Sequence, residues 1–183
     1  MSPQLISPAS SLLLHIDFQQ RLLPAIDGGE TAVDNAVWLT RIARRLGVPV
    51  GATEQYPQGL GPTAARLREL LTDGEVIEKI HFSAVVEGQL SALAGFDRPQ
   101  IVVTGSETHV CVLQTVLDLQ ASGKQVFVVE DAVGSRRAND KRLALDRMRD
   151  AGARVVSREM VAFEWLQRAG TETFREVSRQ FIR

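Results

Sequence analysis

Three side chains of different reactivity end or follow apolar runs of the sequence. Asp17 closes the run "SLLLHID", Lys79 lies near the end of "EVIEKI", and Cys111, the only cysteine, comes shortly after "IVVTG". A thiol at a helix N-terminus has a lowered pKa, and a nearby ammonium lowers it further. A neighbouring carboxylate can take the thiol proton and return it to a leaving group. The trio predicts acyl transfer through a thioester.

An acyl-transfer site also needs donors for the oxyanion that forms during attack. The first turn of a helix has backbone N–H groups without intrahelical acceptors. The loop "GSETH" and Cys111 stand at such a position, between an apolar run and a segment of helical period. Their amides are therefore candidate oxyanion donors.

Short apolar and β-branched runs predict the strands that position these residues. The predicted strands are 11–17, 48–54, 75–80, 100–105, 125–131 and 153–157. Because parallel strands bring their carboxyl ends to one sheet edge, and ligands bind outside that edge, Asp17, Lys79 and Cys111 are expected to meet there.

Longer segments of helical period alternate with the runs. Residues 31–47, 110–123 and 138–152 each carry an apolar face and end in glycine, and Asn139 or Asp140 is a candidate N-cap for the last of them. This alternation predicts a doubly wound, three-layer α/β fold with a mainly parallel sheet and helices on both faces. We expect a single domain over residues 1–183, with an irregular Gly- and Pro-rich loop at 55–62.

Each reactive residue also has an ordinary structural interpretation. Asp17 could cap a turn, Lys79 could be a solvated strand-end lysine, and Cys111 could be a small apolar residue in a helix. Their coincidence at one sheet edge favours chemistry. A rival Cys-His pair would use His109, but residues two apart on a helix point in opposite directions. His15, flanked by apolar residues, is interpreted as part of the core.

Composition limits the range of partners. A formal net charge of −1, spread along the chain, gives no bulk electrostatic reason to bind nucleic acid or a membrane. A lone cysteine and an N-terminus without a basic, apolar leader pattern indicate a cytoplasmic protein. The pair Gly59 and Gly61 lacks the third glycine of a dinucleotide motif, so no cofactor is expected.

The order of the motifs "HIDFQ", "EKIHFSA", "GSETHVCV" and "VEDAVGSR" resembles the isochorismatase-like cysteine hydrolases. That superfamily includes nicotinamidases and N-carbamoylsarcosine amidohydrolase, and the resemblance is greatest to its isochorismatase-domain-containing subgroup. It covers about residues 12–163 and implies a six-stranded, Rossmann-like, mainly parallel sheet. It also implies a triad of Asp17, Lys79 and Cys111, and a cis peptide between Ser106 and Glu107 that directs the Glu107 and Cys111 amides at the substrate oxygen.

The sequence departs from two branches of this superfamily. Nicotinamidases carry a metal site after the second strand, whereas "GATEQYPQGLGP" has no histidine and only Glu54 as a hard ligand, so no metal is expected. True isochorismatases act on a diacid, but here Lys79 and Arg136 are balanced by Glu54 and Glu107. We therefore expect a small neutral amide or related acyl substrate.

The remaining expectations concern the walls and the assembly. Candidate substrate-binding residues are Phe18, Gln19, Gln55, Tyr56, Phe82 and His109; the roles of Glu54 and His81 stay open. The resemblance and the apolar residues of the C-terminal segment favour a homo-oligomer, although that segment could instead pack on its own domain. The alternative function is a non-catalytic ligand-binding or scaffolding protein that retains the hydrolase fold.

Overall fold

The computed structural model describes residues 5–182, so the first four residues of the N-terminal stretch considered above lie outside it. Its centre is one six-stranded sheet in which all strand pairs are parallel. The strands, in chain order, are β1 Ser11–Ile16, β2 Val50–Gln55, β3 Val76–Lys79, β4 Gln100–Ser106, β5 Gln125–Gly134 and β6 Arg154–Val156. They are arranged in the order β3-β2-β1-β4-β5-β6.

Helices cover both faces of this sheet. They are α1 Gly29–Leu46, α2 Pro57–Leu60, α3 Ala65–Arg68, α4 Leu113–Ala121, α5 Ala138–Asp150, α6 Arg158–Leu166 and α7 Glu172–Val177. One core cluster packs α1 and α6 against one face, and a second packs α4 and α5 against the other. Because both faces are covered, β1, β2 and β4 are buried along their whole length, as is usual for parallel sheets.

The predicted fold class is confirmed. Each of the six predicted strands is present, and the three predicted helices correspond to α1, α4 and α5. Helix α1 ends as expected, because Gly47 adopts a left-handed conformation and donates its N–H to the carbonyls of Ala43 and Arg44.

Three local expectations need correction or completion. Helix α5 begins at Ala138, so its N-cap is Arg137 rather than Asn139 or Asp140. The 55–62 loop contains the one-turn helix α2, which starts at a proline, the residue best suited to the first helical position. The C-terminal segment packs on its own chain, where the indole N–H of Trp38 donates to the carbonyl of Phe181 at 2.6 Å.

Close contact between β1 and β4 requires glycine at position 105. Gly105 has φ +149°, and a Cβ there would lie 2.4 Å from the carbonyl oxygen of Ile16. A larger residue would push the two central strands apart at the point where the chain leaves β4. This glycine therefore lets the segment that carries Cys111 run close beside the end of β1.

The chain's helices also bear on a membrane location. Between residues 5 and 182, no helix is at once long enough and apolar enough to cross a bilayer.

Candidate active site

Strand register brings the predicted reactive residues to one edge of the sheet. Ile16 lies beside Thr53 on one side and beside Gly105 on the other, and Gln55 lies beside Lys79. The strand order reverses between β1 and β4, and such a switch point is where ligands bind in open α/β sheets. Asp17 follows β1 directly and Cys111 follows β4, so the two flank the switch point.

Asp17 lies at the centre of the cluster. Its backbone is left-handed, with φ 52°, a conformation that aspartate tolerates better than most residues. Its side chain is fully buried and accepts two hydrogen bonds, from Thr53 Oγ1 to Oδ1 at 2.6 Å and from Lys79 Nζ to Oδ2 at 2.7 Å. The carboxylate is thereby held in one orientation by a neighbour on β2 and another on β3.

Lys79 completes a buried ion pair with Asp17. Its side chain is only 2% exposed, so neither charge is solvated as it would be at the surface. A buried ion pair gives little net stability, because desolvation of both charges offsets their attraction. A pair of this kind beside a thiol at a ligand-binding edge is a functional candidate.

Cys111 lies in a π-helical turn, Thr108–Val112, that leads into α4. Such turns inside helices occur often at functional sites. The N–H groups of Val110 and Val112 both donate to the carbonyl of Glu107, which fixes the loop before the thiol. The peptide bond between Ser106 and Glu107 is cis. Cys111 itself is 5% exposed.

The electrostatics of the thiol differ from the expectation drawn from sequence. Burial raises the pKa of Cys111, the negative charge of Asp17 raises it further, and the ammonium of Lys79 only partly opposes them. The predicted lowering by a helix terminus and an ammonium is therefore wrong for the free protein. Burial and the neighbouring Asp17 therefore both favour the neutral thiol over the thiolate.

The pKa of the Asp17 carboxyl group is also shifted, in the direction that suits a base. Burial raises its pKa, while Lys79, Thr53 and Cys111 stabilise the charged form and limit the rise. A carboxylate with a raised pKa is a stronger proton acceptor than one in water. The arrangement can therefore move the thiol proton to Asp17 as the sulfur attacks an electrophile.

Two side-chain links join the loop before Cys111 to the segment after β5. Nε of Arg136 lies 2.7 Å from Oε1 of Glu107, and Nδ1 of His109 lies 3.0 Å from Oγ of Ser135. Arg136, considered above as a cation for an anionic substrate, is paired with a carboxylate. The observed hydrogen bond of His109 is to Ser135, which does not favour the alternative Cys-His pair.

The predicted wall residues fall into two groups. Tyr56 and Phe82 are 53% and 52% exposed and stand on the loops that follow β2 and β3. Phe18, in contrast, belongs to the hydrophobic core, and the Gln19 amide donates to the carbonyls of Gln55 and Gly61. These two were expected to line the pocket but are engaged in the framework beneath it.

Glu54 and His81, whose roles were open, each have a local partner. Oε1 of Glu54 accepts both the N–H and the hydroxyl of Thr63 at 2.7 Å, which ties the 55–62 loop back to β2. Nδ1 of His81 lies 2.8 Å from Oε1 of Glu87. In the described part of the chain, no three His, Cys, Asp or Glu residues cluster closely enough to hold a metal ion.

His15 is a core residue, as expected. It is fully buried between β4 and α1, where its ring nitrogens lie 2.7 Å from Thr104 Oγ1 and 2.8 Å from Thr40 Oγ1. Thr40 already donates its hydroxyl proton to the carbonyl of Ala36. Nε2 of His15 must therefore be the donor to Thr40, and Nδ1 the acceptor from Thr104. Burial lowers the pKa of His15 to about 3, and the positive charge of Arg44 contributes.

Sequence reasoning missed Thr53, the neutral residue that orients Asp17. The signal was available, because three consecutive polar residues, Thr53, Glu54 and Gln55, end a buried strand whose first three residues are small and apolar. Polar residues at the carboxyl end of a buried parallel strand indicate a site, because ligands bind outside that edge of the sheet.

Comparison with known proteins agrees with this fold. Residues 11–160 match the model of the isochorismatase domain. Isochorismatase domain-containing protein 2 of Bos taurus is 38% identical over 180 residues, which is 95% of this chain and 84% of that protein. The structure of the MAR1 ribonuclease from Caenorhabditis elegans has a TM-score of 0.87 at 32% identity and covers 97% of this chain and 92% of its own. The YcaC gene product of Escherichia coli, an octameric hydrolase of unknown specificity, shares the fold, with a TM-score of 0.88 at 24% identity over 100% of this chain and 93% of its own.

The fold and the buried cluster define a parallel α/β protein with an acid, an amine and a thiol at the carboxyl edge of its sheet. The chain belongs to the isochorismatase family of hydrolases.

Proposed function

We propose that this protein hydrolyses a small neutral amide, or a related acyl compound, through a thioester on Cys111, without a metal or a cofactor. The observation that carries the proposal is the buried Asp17–Lys79 ion pair at 2.7 Å, with the thiol against the same carboxylate. The three residues have complementary tasks: nucleophile, proton carrier and fixed positive charge.

The proposed reaction has two halves. As Cys111 Sγ bonds to the carbonyl carbon, its proton moves to Asp17, and the carbonyl oxygen becomes an oxyanion held by the amides of Glu107 and Cys111. Asp17 then protonates the leaving nitrogen, the C–N bond breaks, and ammonia or an amine departs. Asp17 next takes a proton from water as the hydroxyl attacks the thioester carbon. The C–S bond then breaks, the acid is released, and Asp17 returns its proton to the sulfur, which restores the thiol.

The charges around the site support a neutral substrate. Arg136 is already paired with Glu107, and Lys79 with Asp17, so neither is left to bind a carboxylate or a phosphate of the substrate. The C. elegans relative is described as a ribonuclease. We propose amide rather than RNA hydrolysis here, because binding of a phosphodiester backbone requires unpaired cations.

We propose further that the protein is a cytoplasmic homo-oligomer. The support is the octameric assembly of the E. coli protein of the same fold. Light scattering coupled to gel filtration would give the mass of the assembly; the mass of a single chain would contradict the proposal.

Ammonia release from a panel of small neutral amides, such as formamide, acetamide, propionamide and nicotinamide, tests the activity. We expect turnover of at least one amide by the wild type and none by C111A, with S122A, at the far end of α4, as the matched control. Turnover that survives in C111A would refute the thioester route. Stoichiometric binding of an amide without turnover would favour the scaffolding alternative, and degradation of RNA that depends on Cys111 would favour a ribonuclease.

A further inference from the structure

Lys79 is held by three acceptors. Its ammonium donates to Asp17 Oδ2 at 2.7 Å, to Gln55 Oε1 at 2.6 Å and to the carbonyl of His81 at 3.3 Å. An ammonium group has three hydrogens and no acceptor, so each hydrogen has one partner. Asp17 belongs to the reacting centre, whereas the Gln55 side chain and the His81 carbonyl only accept hydrogen bonds that hold the ammonium in place.

The orientation of the Gln55 amide is set by the next segment of the chain. Its Nε2 donates to the carbonyl of Ile80 at 2.5 Å, which turns Oε1 toward Lys79. The reverse orientation would place an NH₂ group against the ammonium. Its main chain is fixed as well, because Gln19 accepts the Gln55 N–H at 2.8 Å and donates to the Gln55 carbonyl at 3.0 Å.

A single carboxylate oxygen organises the turn that supplies both carbonyls. Oε1 of Glu87 accepts a hydrogen bond from the N–H of Ile80 at 2.9 Å and another from the N–H of His81 at 2.8 Å. The ring Nδ1 of His81 lies 2.8 Å from the same oxygen. Thus the N–H groups of Ile80 and His81 point outward to Glu87, while their carbonyls serve Gln55 and Lys79. These hydrogen bonds, of which that from the His81 N–H contributes most, lower the pKa of Glu87 to about 2, so the Glu87 carboxylate stays charged near neutral pH.

We propose that Glu87 and Gln55 are positioning residues for Lys79: Glu87 orders the turn 80–81 from outside, and that turn and the Gln55 amide hold the ammonium against Asp17. Gln55 thereby changes from the substrate contact expected from sequence to a support for the triad. This inference rests on the proposed role of Lys79 in adjusting the thiol.

Alkylation of Cys111 by iodoacetamide at fixed pH tests the inference without any substrate. Without its support the ammonium moves away from the cluster and no longer opposes the burial and the Asp17 charge that raise the thiol pKa, so the thiolate fraction falls. We expect E87A to be alkylated roughly five- to tenfold more slowly than the wild type, and E87Q, which keeps an acceptor oxygen, to recover most of the rate.

The matched control is Glu75, at the opposite end of β3. Its carboxylate also closes a local turn, by accepting the N–H of Thr72 at 2.8 Å, but it lies away from the triad. E75A should lose stability in thermal unfolding yet keep the wild-type alkylation rate. Equal slowing in E75A and E87A, or no slowing in E87A, would overturn the inference.

Two further variants separate this inference from the proposed function. Q55M removes the side-chain oxygen that accepts a hydrogen bond from Lys79, so it should slow alkylation even if E87A folds poorly. The double variant Q55M/E87A should be little slower than the slower of the two single variants. K79M must also slow alkylation. A normal rate in K79M would refute the proposed role of Lys79 itself, whereas slow K79M with normal E87A and Q55M would refute only the positioning roles.

Discussion

The buried histidine beneath the site makes a quantitative prediction about acid stability. His15 has an ordinary pKa of 6.5 in the unfolded chain, and burial lowers it to about 3 in the folded protein. Between these values the unfolded chain binds a proton that the folded chain excludes, so stability falls as pH falls through 6.5. At about pH 5 the loss is about 2 kcal/mol relative to neutral pH, and it depends little on how far below 5 the folded pKa lies.

The H15Q variant isolates this contribution. Glutamine keeps a donor and an acceptor for Thr40 and Thr104 but does not titrate. The H15Q protein should be less stable than the wild type at every pH. Because residue 15 no longer titrates, however, H15Q should lose less stability than the wild type on acidification. Urea unfolding at about pH 5 and about pH 8 gives the change for each protein, and we expect that of the wild type to exceed that of H15Q by about 2 kcal/mol. Titration of other groups is common to both proteins and cancels. Equal changes in the two proteins would refute the assignment of a neutral, buried His15.

Three other perturbations have defined outcomes. G105A should lower stability by at least about 2 kcal/mol, because its Cβ would meet the Ile16 carbonyl. G74A, at a position with open space, should be nearly neutral in thermal unfolding. An unchanged melting temperature of G105A would contradict the close contact of β1 and β4. R136Q should slow alkylation of Cys111 several-fold, because it leaves the Glu107 charge unbalanced near the thiol, and E107Q should accelerate it; the same sign for both variants would refute this electrostatic account. T53V should move the acid limb of kcat/KM upward by roughly one pH unit, because Asp17 loses a hydrogen bond to its charged form. T53S, which keeps the hydroxyl, should keep the wild-type profile. An unchanged limb in T53V would show that Asp17 is not the group that titrates.

Much of the fold followed from local patterns. The strands and the three long helices were predictable because a buried parallel sheet requires apolar runs separated by amphipathic crossovers. Details at the ends were not: β5 continues beyond the predicted run to Gly134, with a shift of register against β4, and α2 forms within a Gly- and Pro-rich loop. Such features depend on contacts between segments that are distant in sequence.

The site was predictable in membership but not in its electrostatics. Strand ends placed Asp17, Lys79 and Cys111 at one edge, and the register brings them together there. The pKa of the thiol was predicted in the wrong direction because burial, which dominates it, is a property of packing from several segments. Glu87 gave no signal in the sequence, since its effect passes through backbone groups of a turn.

Acylation of Cys111 is the central claim, and 4-nitrophenyl acetate tests it without knowledge of the natural substrate. We predict a burst of nitrophenolate equivalent to one acetyl group per chain, and peptide mapping that finds a hydroxylamine-sensitive acetyl group on Cys111. D17N and K79M should lose the burst while they remain folded. A full burst in C111A, or an acetyl group on another residue of the wild type, would contradict the account.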